Sequence, residues 1–447
     1  MNRTLGWLGI LRLGLVQAAI GSLVVITTST LNRVIVVELA LPAILPGLLV
    51  ALHYFVQVVR PRFGYSSDLG GRRTPWIIGG VAVLGLGGVL ASTATMLMVS
   101  NLWLGVALAV LAFVVIGFGV GAAGTALLVL MSKSVAPPRL AAAATVTWLM
   151  MIAGFIVTSV IAGRLLDPFS LPRLIATTAG IAIAALIVTL LASWGVESRH
   201  EATPSNAADQ GVATAEHAQQ DFRAALREVW AEPHSRRLTS FIFVSMLAYS
   251  AQDLILEPFA GAIFGLTPGQ TTQLSGTQNS GVLLGMFVVA ILCTNRATSR
   301  IGSLRVWTLF GCIASAIALV TLAVIGFLHP ANLLKPVVFA LGLANGAYAV
   351  AAIGSMMGLV GRGRGEREGM RMGLWGAAQA VAFGLGGILS TASVDLGRAL
   401  FGSVPIAYGL VFVGEALLFV LATVFAVRLS QLESGSDDDG DVPAYAA

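Results

Sequence analysis

The sequence predicts an all-α integral membrane protein: twelve spans in two six-span halves, with both termini cytoplasmic. Three observations predict it. Hydrophobic residues fill 57% of 447 positions and the mean hydropathy is +0.88, whereas a soluble chain of this length needs far more polar surface. Apolar runs of roughly 20 residues, the length that crosses a bilayer as helix, recur from end to end. All but five of the 26 Lys and Arg fall on one side of the resulting topology, the asymmetry that marks a cytoplasmic face.

The first half, residues 1–195, reads as spans near 9–30, 40–59, 76–98, 102–131, 140–163 and 174–195. The first run lacks a small-residue cleavage site and reads as a span, not a signal peptide. Residues 196–237 then break the pattern. "RHEATPSNAADQGVATAEHAQQ" is polar and low in complexity, which suits a flexible linker. "DFRAALREVWAE" puts Phe222, Leu226, Val229 and Trp230 on one helical face; it suits a helix lying on the membrane surface or an ordinary solvated helix equally well. The second half, 238–428, reads as spans near 238–257, 272–293, 304–328, 334–360, 371–394 and 404–427. The acidic tail, 429–447, reads as disordered.

The five outer-side basic residues are Arg33, Arg164, Arg173, Lys335 and Arg398. The others face an anionic lipid leaflet, so the net charge of +5 calls for no nucleic-acid partner. Cys293 and Cys312 lie in apolar runs, where small packing residues are expected and neither a disulfide nor a metal site. Trp7, Trp76, Trp103, Trp194 and Trp307 fall near span ends, as interfacial anchors do.

One connection stands apart. Between spans two and three runs "RPRFGYSSDLGGRRTPW", residues 60–76. Arginines alone would make a positive-inside loop. The glycines and the aspartate ask for more: Gly64 and Gly71 permit close backbone approach, and Asp68 can pair with an arginine or face a helix N-terminus. Gly64, Asp68, Gly71, Arg72 and Arg73 together resemble the signature loop of the major facilitator superfamily, with Leu69 where a basic residue is usual. The loop between spans eight and nine, "NRATSRIGSLR", keeps a glycine, Gly302, and scattered arginines without the aspartate. Two halves related as parallel repeats are what that resemblance implies.

Three further stretches narrow it: "TTSTLNRVIVVELALPA" (27–43), "VQVVRPRFGYSSDLGGRRTPWIIGG" (56–80) and "AQDLILEPFAGAIFGLTPGQTTQLSG" (251–276). With them the chain resembles the PucC family from span one to span twelve, and its compact second loop is similar to the subgroup historically labelled a bacteriochlorophyll synthase chain. The more specific parts are Asn32, Arg33 and Glu38, and the segment ending in Glu257-Pro258. The resemblance implies a non-enzymatic assembly factor that carries bacteriochlorophyll, or a late precursor, to light-harvesting complexes. It implies antenna polypeptides or reaction-centre light-harvesting assembly intermediates as partners, with bacteriochlorophyll synthase as a further one. The location it implies is the intracytoplasmic photosynthetic extension of a bacterial inner membrane. A solute transporter working by alternating access is the competing expectation. A membrane prenyltransferase would be expected to carry aspartate-rich diphosphate motifs on helices, whereas Asp437, Asp438 and Asp439 sit in the tail.

Charged groups inside spans are costly and mark candidate sites. Asp253 and Glu257, four apart, share a helical face; they read either as a polar cavity site or proton-linked carboxylate pair, or as groups at a helix end marked by Pro258, solvated or bound to the partner half. Glu415 sits deep in span twelve and needs a partner or a proton. His53 is the histidine well inside a span: a ligand for a pigment magnesium, or a packing residue bonded to a carbonyl. Arg33 and Glu38 read as an ion pair holding the outer turn or as a partner-docking patch. The run "GFGVGAAGT" holds Gly117, Gly119, Gly121 and Gly124 at spacings that suit close helix packing. Because the signature loop lies away from the bilayer centre, Asp68→Asn and Gly71→Val should lower the yield and melting temperature of folded protein. Pigment per folded molecule should stay unchanged; a stable variant that loses only pigment contradicts this.

Overall fold

The computed structural model describes residues 5–57, 72–136, 139–197, 233–294, 304–360 and 368–435. Twelve helices follow one another within them. The first six are α1 Trp7–Glu38, α2 Ile44–Val56, α3 Thr74–Ser100, α4 Leu102–Ser134, α5 Leu140–Leu165 and α6 Leu171–Ser193. The second six are α7 Pro233–Phe264, α8 Pro268–Thr294, α9 Leu304–Leu328, α10 Ala331–Val360, α11 Glu368–Phe401 and α12 Val404–Gly435. Eleven are long and apolar enough to cross a membrane; α2, with 13 residues described, is the shorter one. No strand occurs among the described residues.

The second six helices repeat the packing of the first. Helix α1 packs on α5 and α6, α3 on α4 and α6, and α2 on α4; six positions later α7 packs on α11 and α12, α9 on α10 and α12, and α8 on α10. One core gathers around Leu84, Phe113, Ile116 and Leu127, the other around Phe259, Tyr348, Phe412 and Phe419. The two sets meet where α5 faces α8, α2 faces α11, and the outer end of α1 faces α7. Lipid tails are as apolar as leucine, so such contacts depend on close van der Waals fit. Within the first half two of the span-four glycines supply it: a Cβ on Gly119 would stand 2.5 Å from the Leu84 amide nitrogen, and one on Gly117 would stand 2.8 Å from the His53 carbonyl oxygen, whereas one on Gly124 would meet nothing within 4 Å.

Several helices run further than the sequence suggests, among them α11, which reaches Phe401 where an end near 394 is expected. Helix α1 passes beyond residue 30 to Glu38 through two π-helical turns, Ile26–Thr30 and Val34–Glu38. The Thr27 and Thr28 hydroxyls donate back to the Leu23 and Val24 carbonyls at 3.0 and 2.9 Å, a local competition that bends a helix without ending it. Helix α7 starts at Pro233 and does not stop at Pro258, which lies inside it. Helix α12 continues past residue 428 to Gly435. Gly64, Asp68 and Gly71, the amphipathic segment from Phe222 to Trp230 and the aspartates of the tail lie outside the described residues.

Of the signature loop, Arg72 is exposed and Arg73 is half-buried at the start of α3. The Glu197 carboxylate, just beyond α6, accepts from the Arg73 amide at 2.8 Å and from the Thr74 amide and hydroxyl at 2.9 and 2.8 Å. It stands 3.8 Å from the Arg73 guanidinium. Glu197 thereby caps the free N–H groups of α3 at the positive end of its dipole. Arg12 of α1 does the converse for α6, donating to the carbonyls of Ala192 at 3.0 Å, Leu191 at 3.3 Å and Trp194. Removing the cap in Glu197→Ala should cost about 1 kcal/mol and speed amide exchange at Thr74–Ile77. Glu197→Gln, which keeps an acceptor oxygen, should lose less; equal exchange in both variants contradicts the capping role.

Candidate functional site

The polar residues flagged in the two most specific sequence segments meet at the seam between the halves. Pro258 has no N–H, so it cannot bond the carbonyl four residues back, which belongs to Leu254. In hydrocarbon a carbonyl without a donor is expensive. The Leu254 carbonyl is met from the other half: the Asn32 side-chain amide on α1 donates to it. The proline is tolerated inside α7 because α1 brings the missing donor.

Arg33, the next residue on α1, is 2% exposed. Its guanidinium donates to the Glu38 carboxylate at 3.0 Å and to the Leu266 carbonyl beyond the end of α7 at 2.7 Å. Gly261 makes the room, since a Cβ there would lie 2.2 Å from the Arg33 Nε. The ion pair is therefore present, but Arg33 is no exposed docking patch: only Glu38, 35% exposed, reaches the surface. Glu257 is 1% exposed and accepts from Ser275 at 2.6 Å and Thr271 at 3.3 Å, both on α8. The solvated-end reading of Glu257 fails because the helix runs two turns past it and α8 covers it. Asp253, one turn inward, is half-buried. Thr30 and Thr272 share a hydrogen bond of 3.0 Å across the seam.

Asp395 of α11 completes the outer closure by accepting from the Ala43 and Ile44 amides at 2.9 and 2.8 Å, which caps α2. Further inward the seam turns aromatic, with Tyr54 of α2 against Phe383 of α11 at 5.5 Å between ring centres and Tyr249 of α7 against the same ring at 6.1 Å. His53 is 2% exposed, with its Nδ1 2.9 Å from the Val50 carbonyl oxygen. That contact fits the packing alternative and equally the orienting bond that a metal-ligating histidine makes through its other ring nitrogen; at 2% exposure a pigment magnesium would reach the ring only after its neighbours moved.

Glu415 lies elsewhere. It is 3% exposed, and neither carboxylate oxygen has a hydrogen-bond partner among the described residues. It lines a groove of about 380 Å³ between α7, α11 and α12, with Leu247, Gly386, Ser390, Leu396, Leu410 and Gly414. A second cavity, about 290 Å³, opens near Val36, Ala262, Arg398 and Val404 at the outer end of the seam. Among the described residues no group of three or more His, Cys, Asp or Glu is arranged to hold a metal ion.

Comparison with known proteins agrees with this architecture. The PUCC protein family matches residues 30–434. The chain belongs to that family. Over 428 residues it is 51% identical to the bacteriochlorophyll synthase 44.5 kDa chain of Rhodobacter capsulatus, covering 95% of both chains. It is 30% identical to the protein PucC of the same species, covering 94% of this chain and 92% of that one. A solved structure from work on proton dependent oligopeptide transporters superposes with a TM-score of 0.70 at 14% identity, covering 95% of this PUCC protein and 99% of the other. That likeness concerns the fold, a major facilitator arrangement.

Sequence reasoning missed Asp395, Glu197, Thr271 and Ser275. Asp395 stands one residue past the expected end of span eleven, and only the extension of α11 to Phe401 places it within the helix. The coupling of Asn32 to Pro258 can be tested as a cycle. Asn32→Leu should cost about 1–3 kcal/mol by stranding the Leu254 carbonyl. In a Pro258→Ala background, where α7 regains its own bond, the same change should cost much less. Additive losses in thermal unfolding of the purified variants contradict the coupling.

Proposed function

We propose that this protein holds bacteriochlorophyll, or a late precursor, within the photosynthetic membrane and hands it to antenna polypeptides as light-harvesting complexes assemble. The observation that carries the reading is the family match over residues 30–434, together with a 51% identical relative named for bacteriochlorophyll synthase. At the outer end of the seam Arg33 bonds Glu38, Glu257 bonds Ser275 and Asn32 bonds the Leu254 carbonyl. Both side-chain amide atoms of the buried Gln252, the Asn32 Oδ1 and the Ser159 hydroxyl have no hydrogen-bond partner among the described residues, so seam polarity alone does not separate a carrier from a site that presents convergent polar groups to a solute.

A macrocycle with a long alcohol tail is almost insoluble in water. Shielding it at the lipid boundary gains on the order of 25 cal/mol per Å² of apolar area covered. The protein acts here as a carrier and not as a catalyst, since the sequence lacks the diphosphate-binding motifs that joining the tail would need. Reaction-centre light-harvesting intermediates and the bacteriochlorophyll synthase are the partners such a carrier would stand between. The likeness to transporters favours a second reading, movement of a small or amphipathic solute by alternating access. Deleting the gene should lower assembled antenna while the pigment-synthesis enzymes stay active in extracts, and the tagged protein should bring antenna polypeptides or the synthase with it. Normal antenna levels in the deletion strain, with solute uptake by liposomes holding the protein, would promote the transporter.

A further inference from the structure

Glu415 is the buried acid that the seam does not use. It stands 11 residues into α12, about 17 Å from the outer end at the helical rise of about 1.5 Å per residue. That is near the middle of a hydrocarbon core about 30 Å thick. A carboxyl group buried there without a partner costs several kcal/mol if ionised, and such a group inside a span points to a ligand. Its surroundings show where the ligand would come from. The groove it lines has Leu389, Leu396, Leu400 and Leu410 on its rim, and all four are exposed on the outer surface of the helix bundle, where lipid lies. At Gly414, beside it, a side chain would meet nothing within 4 Å. Glu415 itself lies on the buried face of α12, in line with Val411, Phe412 and Phe419, and lines a groove whose leucine rim is exposed toward the bilayer.

We infer that this groove is a lateral binding site for the edge of a bacteriochlorophyll-type macrocycle entering from the lipid phase, with Glu415 donating a hydrogen bond to a ring carbonyl. The inference rests on the pigment-handling reading above and adds the place and the contact. As a neutral acid, Glu415 offers one O–H donor, which selects a lipid-soluble molecule with a carbonyl on a rigid apolar body. The ester carbonyls of phospholipids offer the same chemistry, but they lie at the headgroup boundary, away from the mid-depth of Glu415. A groove of about 380 Å³ admits one edge of the macrocycle; the rest and the alcohol tail would cover the exposed leucines.

The test uses the full chain in phosphatidylcholine nanodiscs, titrated with bacteriochlorophyll a. Affinity is read by fluorescence, and the ring-carbonyl stretch by resonance Raman. The wild type should bind with a lowered carbonyl stretch. Glu415→Gln keeps a donor and should bind nearly as well. Glu415→Leu should bind about three- to tenfold more weakly, the worth of one buried hydrogen bond, with the stretch back at its free position. Gly414→Phe should fill the groove and prevent binding at an unchanged melting temperature, and it decides the matter if Glu415→Leu does not fold. Wild-type affinity in both Glu415→Leu and Gly414→Phe, a free carbonyl stretch in the wild type, or a phospholipid in native mass spectra that added pigment does not displace would each overturn this site and leave the carrier reading standing. A wild type that takes up no pigment overturns both.

Discussion

A carbonyl oxygen left without its helical donor is the constraint around which the two halves are joined. Pro258 sits inside α7, so the Leu254 carbonyl needs a donor from outside the helix. Asn32 of α1 supplies it. Holding Asn32 there brings Arg33 into the protein, and a buried guanidinium must itself be met. Glu38 and the Leu266 carbonyl meet it, and Gly261 leaves the space. The extension of α1 through two π-helical turns, the passage of α7 beyond its proline and the closeness of the outer ends all serve this arrangement.

Its consequence for function is a division of labour among the intramembrane acids. Glu257 is engaged by α8 and Asp395 by the start of α2, so both act as structural acceptors that bind helices together. Glu415 has no hydrogen-bond partner among the described residues and lines the groove between α7, α11 and α12. A carrier for a water-insoluble pigment needs its polar recognition group within reach of lipid, because its cargo arrives and leaves through the bilayer. On the proposed reading, the major facilitator architecture would present this groove to the bilayer.

Much of this was legible in the sequence. Apolar run length and the arginine bias specify the helices and their two sets, since both follow from bilayer thickness and leaflet charge. The rule that charges inside spans are costly singled out Asp253, Glu257 and Glu415 before their surroundings were known, while Arg33 was expected outside the first span. What it could not supply was the partner. Pro258 signals a helix end when read alone; only the neighbouring Asn32 amide, 222 residues away in sequence, shows why the helix survives it. Glu197 and Arg12 resemble ordinary loop and interface charges, and their roles depend on which helix terminus the fold sets beside them. His53 carries no sequence mark that separates a ligand from a packing residue, and its Nδ1 contact with the Val50 carbonyl is compatible with both, since the role turns on Nε2.

The central claim is that the protein carries pigment in the cell. An absorption spectrum of the native protein, isolated in mild detergent from membranes of a phototrophically grown bacterium, tests it most directly. The account predicts a bacteriochlorophyll band that co-elutes with the protein at a fixed ratio to its tryptophan absorbance and shifts from the position of free pigment. A colourless protein that is folded and monodisperse, taken from the same pigmented membranes, would contradict it.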